Sequence, residues 1–231
     1  MKKVLLLLGL LIVSKVEGQV HDGLWTRSSL GVKVDSNLTL LAEVQYRTQD
    51  GISNYNPISQ NRLSSYRIWM NYTISPTTKI VISPFSFFSI YPTILEEKDE
   101  SASPRKEYRF TAAFESNLKK WNHFHLFQRT AFEYRILPTN QLTRLRSRLG
   151  VKTNLASKLQ WINYLEGFVN TSNTIKNQWY DQHRVSSFIE YNFTANLKVE
   201  FGYIFIHRYS SLKNTSWNEH NGMLYFTYFI P

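Results

Sequence analysis

The stretch 143–151 constrains the fold more than any other part of the chain, because its arginines occupy every second position. They alternate with two leucines and a serine: Arg144, Arg146 and Arg148 against Leu145, Ser147 and Leu149. In a β-strand successive side chains point to opposite faces, so the three guanidinium groups would share one face. On a helix they would spread over a wide arc and leave neither face clean. The stretch therefore predicts a strand with one charged face and one mostly apolar face.

Strand-like patterns recur along nearly the whole chain. Ten further segments have them, at 22–34, 38–47, 62–74, 79–91, 106–118, 123–136, 159–169, 182–191, 197–208 and 220–230. Strands of soluble sheets usually have about five or six residues, whereas a tilted strand needs about 9–11 residues to cross a bilayer. Because short turns alternate with longer polar loops between these long segments, the pattern is typical of strands that cross a membrane in pairs.

The two faces of each strand decide between a soluble and a membrane barrel. A soluble sheet turns its polar face to water, whereas a membrane barrel turns its apolar face to lipid and its polar face to a lumen. We predict an all-β fold: a transmembrane, antiparallel, up-and-down β-barrel of about 10–12 strands, with short periplasmic turns and longer extracellular loops. Eleven segments are visible, but the even strand numbers of bacterial barrels favour ten or twelve. A soluble lipocalin-like or sandwich fold is the alternative.

Residues 1–18 have the features of a secretory signal peptide. Lys2 and Lys3 precede an apolar run at 4–13, and the residues at 16–18 are suited to cleavage by signal peptidase. The apolar run is too short to cross a bilayer as a helix, which takes about 20 residues. We therefore predict a signal peptide at 1–18 and a single barrel domain at 19–231, located in the cell outer membrane. Its expected partners are outer-membrane lipids and, during insertion, the barrel-assembly machinery.

Composition excludes several other classes of protein. The formal net charge is +10, but the basic residues are spread singly over strands rather than gathered into a patch, so no nucleic-acid partner is predicted. The chain has no cysteine, which excludes disulfides and thiolate metal sites. No phosphate-binding glycine loop is present, and we predict no cofactor.

Charged residues on the inner faces of the predicted strands form a ladder of ion pairs in the lumen. The ladder comprises Glu43, Arg47, Arg67, Arg109, Arg129, Glu133, Arg144, Arg146, Arg148, Glu166, Arg184, Glu190 and Lys198. Two assumed pairings, Ile136 with Thr143 and Thr153 with Leu159, place Arg146 opposite both Glu133 and Glu166. A third hairpin places Glu190 opposite Lys198. Such a ladder either fills the centre of a small barrel or lines a lumen that admits anions.

Catalytic and metal signals are weak in this sequence. His207 and Ser210 suggest the His–Ser pair of lipid-modifying outer-membrane enzymes such as deacylases and phospholipases, but their spacing of three places them on opposite faces of a strand. His123 and His125 share a face, and Glu115 lies across the predicted hairpin, but a third clear ligand is missing. We predict no catalytic residue and no metal site.

Several short motifs resemble one known family, the domain-of-unknown-function 2490 family. They are Leu24-Trp25-Thr26, Glu-Val-Gln-Tyr-Arg at 43–47, Arg-Leu-Arg-Ser-Arg-Leu at 144–149, His183-Arg184, Glu190-Tyr191 and Phe201-Gly202-Tyr203. The resemblance extends over nearly all of 19–231. It implies a Bacteroidetes-type outer-membrane β-barrel of uncharacterised activity and supplies no catalytic residues. The function predicted is a structural barrel or a narrow pore or binding barrel, with a lipid-modifying enzyme and a soluble periplasmic binding barrel as alternatives.

Overall fold

The computed structural model describes residues 19–172, 178–210 and 215–231, so the predicted signal peptide lies outside the described residues. The described chain forms one closed barrel of eleven strands. The strands are β1 (Gln19–Lys33), β2 (Leu38–Gln49), β3 (Gln60–Ser75), β4 (Thr78–Ile90), β5 (Arg105–Trp121), β6 (Phe124–Ile136), β7 (Gln141–Ala156), β8 (Leu159–Asn170), β9 (Tyr180–Asn192), β10 (Leu197–Ser210) and β11 (Thr215–Ile230). The predicted all-β barrel is confirmed.

The barrel closes between β1 and β11, which run parallel to each other. Every other neighbouring pair is antiparallel and follows chain order. The eleven strands lie within the predicted range of about 10–12, although the sequence favours an even number. An up-and-down barrel with an odd strand number brings its first and last strands together in the same direction, and here the pairing runs continuously from Gln19 opposite Trp217 to Val32 opposite Ile230.

The two rims of the barrel differ in their connections. One rim carries the short turns 34–37, 76–77, 122–123, 157–158 and 193–196, and we call it the turn rim. The other, the loop rim, carries the longer connections 50–59 and 91–104. The sequence predicts the last strand at 220–230, whereas β11 already begins at Thr215. This strand is thus longer at the loop rim than the side-chain pattern indicates.

Local irregularities explain where the sequence pattern is ambiguous. The pairing of β4 with both neighbours shifts around Pro84, because proline has no N–H to donate to a sheet. Ser83 and Ser86 flank this bulge, and their hydroxyl oxygens lie 2.7 Å apart in a buried contact. In the turn between β5 and β6, Asn122 has a φ of 39°, a left-handed conformation that asparagine tolerates better than most residues.

The two surfaces of the wall have opposite chemistry. On β7, Arg144 is buried inside, whereas Leu145 and Leu149 are 41% and 53% exposed on the outside. The same outward exposure of large apolar side chains occurs all around the barrel, for example at Leu165 and Phe201. The buried residues conversely include many carboxylates and arginines. The barrel is therefore apolar outside and polar inside.

The connection 91–104 reaches the cavity at the loop rim of the barrel. Gln49 holds it, donating to the carbonyl of Pro92 (2.9 Å) and accepting from the N–H of Ile94 (3.4 Å). Ile94 is buried, and the connection includes the short helix α1 (Glu97–Glu100). Within the described ranges, no helix has the length and apolar character needed to cross a membrane.

Candidate functional site: the arginine-lined lumen

A central cavity of about 770 Å³ lies inside the barrel. All thirteen arginines of the chain line it, and each comes from an inner-face position or from the loop rim. Of the lysines that the structure describes, Lys79 and Lys198 alone line the cavity. Arginine and lysine are thus separated within the fold, because guanidinium groups are less strongly hydrated than ammonium groups and accept buried ion pairs and stacking on aromatic rings.

Carboxylates compensate only part of this positive charge. Glu43, Glu115, Asp181, Glu200 and Glu219 line the cavity. Four more form ion pairs with the lining cations: Glu107, Glu133, Glu166 and Glu190. Fifteen lining cations therefore face nine carboxylates within the described barrel, and the lumen has a formal excess of six positive charges.

The arginines of β7 form the centre of the ion-pair network. Glu133 accepts from Arg144 Nε (2.9 Å) and from Arg146 Nη1 (3.1 Å). Arg146 also donates through Nε to Glu166 Oε1 (2.7 Å), which accepts from Arg148 Nε at 3.0 Å. Both carboxylates are almost fully buried. Each β7 arginine thus contacts a carboxylate on a neighbouring strand, and Arg146 joins β6 to β8.

The registers assumed from sequence were wrong by two residues, although the predicted contacts form. Ile136 pairs with Gln141 rather than Thr143, so Arg144 is the direct neighbour of Glu133. The other two assumed pairings differ in the same way: Thr153 lies opposite Trp161, and Lys198 lies opposite Asn192. A shift of two keeps every side chain on its face. Long side chains then reach the diagonal neighbour, as when Lys198 Nζ reaches Glu190 Oε2 at 3.0 Å.

Two further clusters complete the network. Glu107, with no exposed surface, accepts from Arg135 Nε at 2.6 Å and Nη2 at 2.9 Å, and also from Arg109. On the β1–β3 side, Glu43 pairs with Arg67 and approaches Arg27. Arg27 in turn donates to Glu200 Oε2 at 2.9 Å. These bonds hold the long side chains against the wall, although Nε of Arg27 and of Arg67 is buried without a partner.

Aromatic side chains form a second layer beneath the guanidinium groups. Phe168 lies under three of them, with Cζ-to-centroid distances of 4.3 Å for Arg184, 4.9 Å for Arg144 and 5.1 Å for Arg146. The Trp25 ring has Arg47 Cζ at 3.4 Å and Arg184 Cζ at 5.2 Å. Contacts between a cation and an aromatic face gain strength when they are desolvated. Part of the positive charge is therefore held by stacking instead of by carboxylates.

The structure places every residue of the predicted ladder on the inner face of the wall. Glu133, Glu166 and Glu190 contact lining cations, and the other members line the cavity itself. The prediction omitted several charged residues that join the same network: Arg27, Arg62, Lys79, Arg105, Glu107, Glu115, Arg135, Asp181, Glu200, Arg208 and Glu219. The sequence contained a signal for four of them, because they alternate with outward-facing neighbours and so belong to the inner face: Glu107, Arg135, Glu200 and Arg208.

The described structure does not bring the residues of the weak catalytic and metal signals together into a site. His207 Nδ1 lies 2.9 Å from Asn218 Oδ1, and its ring packs 5.2 Å from that of His183 on the outer wall. Ser210 lies on the same face of β10 as Arg208 and therefore on the face opposite to His207, as their spacing of three predicted. His125 contacts Asn154, and Glu115 pairs with Lys79 and Arg129. The described residues contain no cluster of three metal-ligating side chains.

The fold and the lumen define a closed β-barrel with an apolar outer wall and an arginine-rich interior, the architecture of porin-like proteins. The chain belongs to the family described as "Protein of unknown function (DUF2490)", and the match covers residues 22–217. A solved structure of the NanC porin, in a rhombohedral crystal form, is similar with a TM-score of 0.51 and 8% sequence identity. The similarity covers 91% of this chain and 98% of that one, and it shows a shared fold. None of the curated proteins matches the chain.

Proposed function

We propose that this protein is an outer-membrane β-barrel whose lumen binds and passes small anions. The observation that carries the proposal is the placement of all thirteen arginines around one cavity with too few carboxylates to neutralise them. A wall of fixed positive charge in a low-dielectric tube attracts anions and repels cations. A barrel that only filled its centre with ion pairs would need no such excess.

The outer wall supports insertion into a membrane. Large apolar side chains such as Leu149, Leu165 and Phe201 are half exposed to the surroundings. Exposed apolar surface on this scale is rare on soluble monomers, whereas lipid covers it at no cost. A soluble lipocalin-like barrel would need the reverse arrangement, with an apolar ligand cavity and a polar exterior. The connection 91–104 contributes Thr93 and Ser103 to the cavity lining at the loop rim.

Conductance in a planar lipid bilayer tests the proposal directly. The purified barrel, placed between unequal KCl solutions, is expected to give a reversal potential of the sign set by chloride permeation. Arg184→Glu changes the lumen charge by two units and should move the reversal potential of the current toward the equilibrium potential of potassium. Lys158→Glu makes the same change at an exposed position in a turn, where screening by salt should leave selectivity nearly unchanged.

Localisation provides the second test. Cell fractionation should recover the protein with outer membranes, and the folded form should migrate differently from the heated form on a gel. Recovery as a soluble periplasmic protein would refute membrane insertion. A folded barrel without any conductance would refute the passage of anions and leave a lumen that is filled for stability.

A further inference from the structure

We infer that Arg47, Arg184 and Gln182 form a binding subsite for an organic carboxylate that carries a hydroxyl group, on the Trp25 side of the lumen. The inference rests on the proposed function, because an anion must first be able to enter the barrel. It names the chemical class of the anion and the residues that select it.

The first observation is that Arg47 lacks a carboxylate partner among the described residues. Each of the other twelve arginines has a carboxylate within ion-pair distance, whereas Arg47 has none among the residues that the structure describes. It stacks on Trp25 and donates to Gln45 Oε1 at 3.0 Å, and its Nε is buried without a partner. A desolvated guanidinium without a counter-charge is unfavourable, so an anion bound beside it would be stabilised.

Arg184 provides a second cation with an incomplete partner. It is directly opposite Glu166 in the sheet, but its Nη1 lies 3.8 Å from Glu166 Oε2. The other oxygen of Glu166 already accepts from Arg146 and Arg148. Arg184 Nε is buried and unpartnered, and the guanidinium groups of Arg184 and Arg47 both lie against the Trp25 ring. Two under-compensated guanidinium groups therefore share the Trp25 ring, and an anion between them would relieve their mutual repulsion.

The amide group of Gln182 is evidence for a bound ligand that does not depend on the charge of the lumen. Its side chain lines the cavity, only 1% of it is exposed, and neither its Nε2 nor its Oε1 has a hydrogen-bond partner. A buried amide with both groups unpaired is costly. The N–H group fits a carboxylate oxygen, and the carbonyl oxygen needs a donor, which a hydroxyl on the same ligand supplies.

The surroundings favour an organic carboxylate over an inorganic anion. Planar guanidinium groups match the planar, two-oxygen geometry of a carboxylate. The Trp25 and Phe168 rings next to them offer apolar surface to the carbon skeleton of a ligand. A single negative charge suits the site, because Glu166 compensates part of the charge on Arg184.

Ligand-detected NMR on the refolded barrel in detergent micelles tests the inference with lactate and propionate as probes. Lactate should bind more tightly than propionate, which lacks only the hydroxyl. Arg47→Gln should weaken both probes by about tenfold or more, the effect of losing a charge-assisted bond. Gln182→Met should abolish the preference for lactate while leaving propionate bound. Lys158→Gln, which removes a charge at an exposed turn, should change neither.

Heat-modifiable gel mobility establishes that each variant is folded. Lactate binding that survives both Arg47→Gln and Gln182→Met overturns the subsite, as does the absence of binding to a folded parent barrel. Equal competition by chloride or inorganic phosphate overturns the carboxylate class. Anion-selective conductance without lactate binding would refute only the proposed subsite. Lactate binding without conductance would refute only the proposed passage of anions.

Discussion

The Glu107 cluster offers the sharpest test of whether the ion pairs stabilise this barrel. Glu107 is fully buried and accepts two hydrogen bonds from Arg135 and one from Arg109, and Arg105 approaches it at 3.6 Å. Glu107→Gln preserves the shape of the side chain but removes the charge that these arginines share. Breaking a buried ion pair from one side costs about 3–5 kcal/mol, because the remaining charge stays desolvated. We therefore expect the free energy of unfolding to fall by at least about 3 kcal/mol.

Urea unfolding of the barrel in lipid vesicles, followed by tryptophan fluorescence, measures this change. Lys79→Gln is the matched control, because the side chain of Lys79 is 45% exposed and its partner Glu115 keeps an ion pair with Arg129 at 2.7 Å. Such a partly solvated pair contributes about 0–1 kcal/mol. Equal losses in the two variants, or a loss below about 1 kcal/mol for Glu107→Gln, would refute the reasoning. Removing Arg135 as well should recover stability, because the double variant no longer leaves that buried charge unpaired.

Three further predictions concern the architecture. Cysteines placed by Ser29→Cys and Thr227→Cys, which are Cα partners across the closing seam, should form a disulfide in the folded barrel, and a chain that excluded β1 from the barrel would give none. Leu149→Arg on the outer wall should lower the free energy of unfolding in lipid by about 2–4 kcal/mol, measured against Leu149→Phe, which should be nearly neutral. Gly202→Leu should lower the free energy of unfolding by about 1–3 kcal/mol, because a Cβ there would clash with the Ser187 carbonyl and the Cβ of Phe188; an unchanged urea midpoint would contradict this.

Much of the wall could be predicted from alternation, because alternation reports which face a side chain occupies. It identified all eleven strands and the inner face of β7. It could not determine the registers, since a shift of two residues preserves the faces. The register of a hairpin is set at its turn: the Leu137 N–H donates to the Asn140 carbonyl (2.9 Å), which closes the β6–β7 connection. The sequence contains no comparable signal for that contact.

The pairing of β1 with β11 and the lack of a carboxylate beside Arg47 could not be predicted from the sequence, for a different reason. Whether β1 belongs to the barrel depends on backbone hydrogen bonds to β11, and the side chains of β1 alternate less regularly than those of β7. Arg47 has the same inner-face position as its neighbours, so the sequence placed it among the ion pairs. Only the three-dimensional positions of the carboxylates that the structure describes show that none of these reaches Arg47.

The parallel seam also determines where the two ends of the barrel chain emerge. β1 begins at the loop rim, beside Trp217, and β11 ends at the turn rim, beside Val32. In a membrane these rims face different compartments. A peptide epitope joined ahead of Gln19 would therefore be displayed on the side opposite to one joined after Ile230. Both ends of the barrel chain can therefore carry a fused peptide without any change to a lumen residue. Antibodies against the two epitopes, applied to intact and to permeabilised cells, would determine the orientation of the barrel in the membrane.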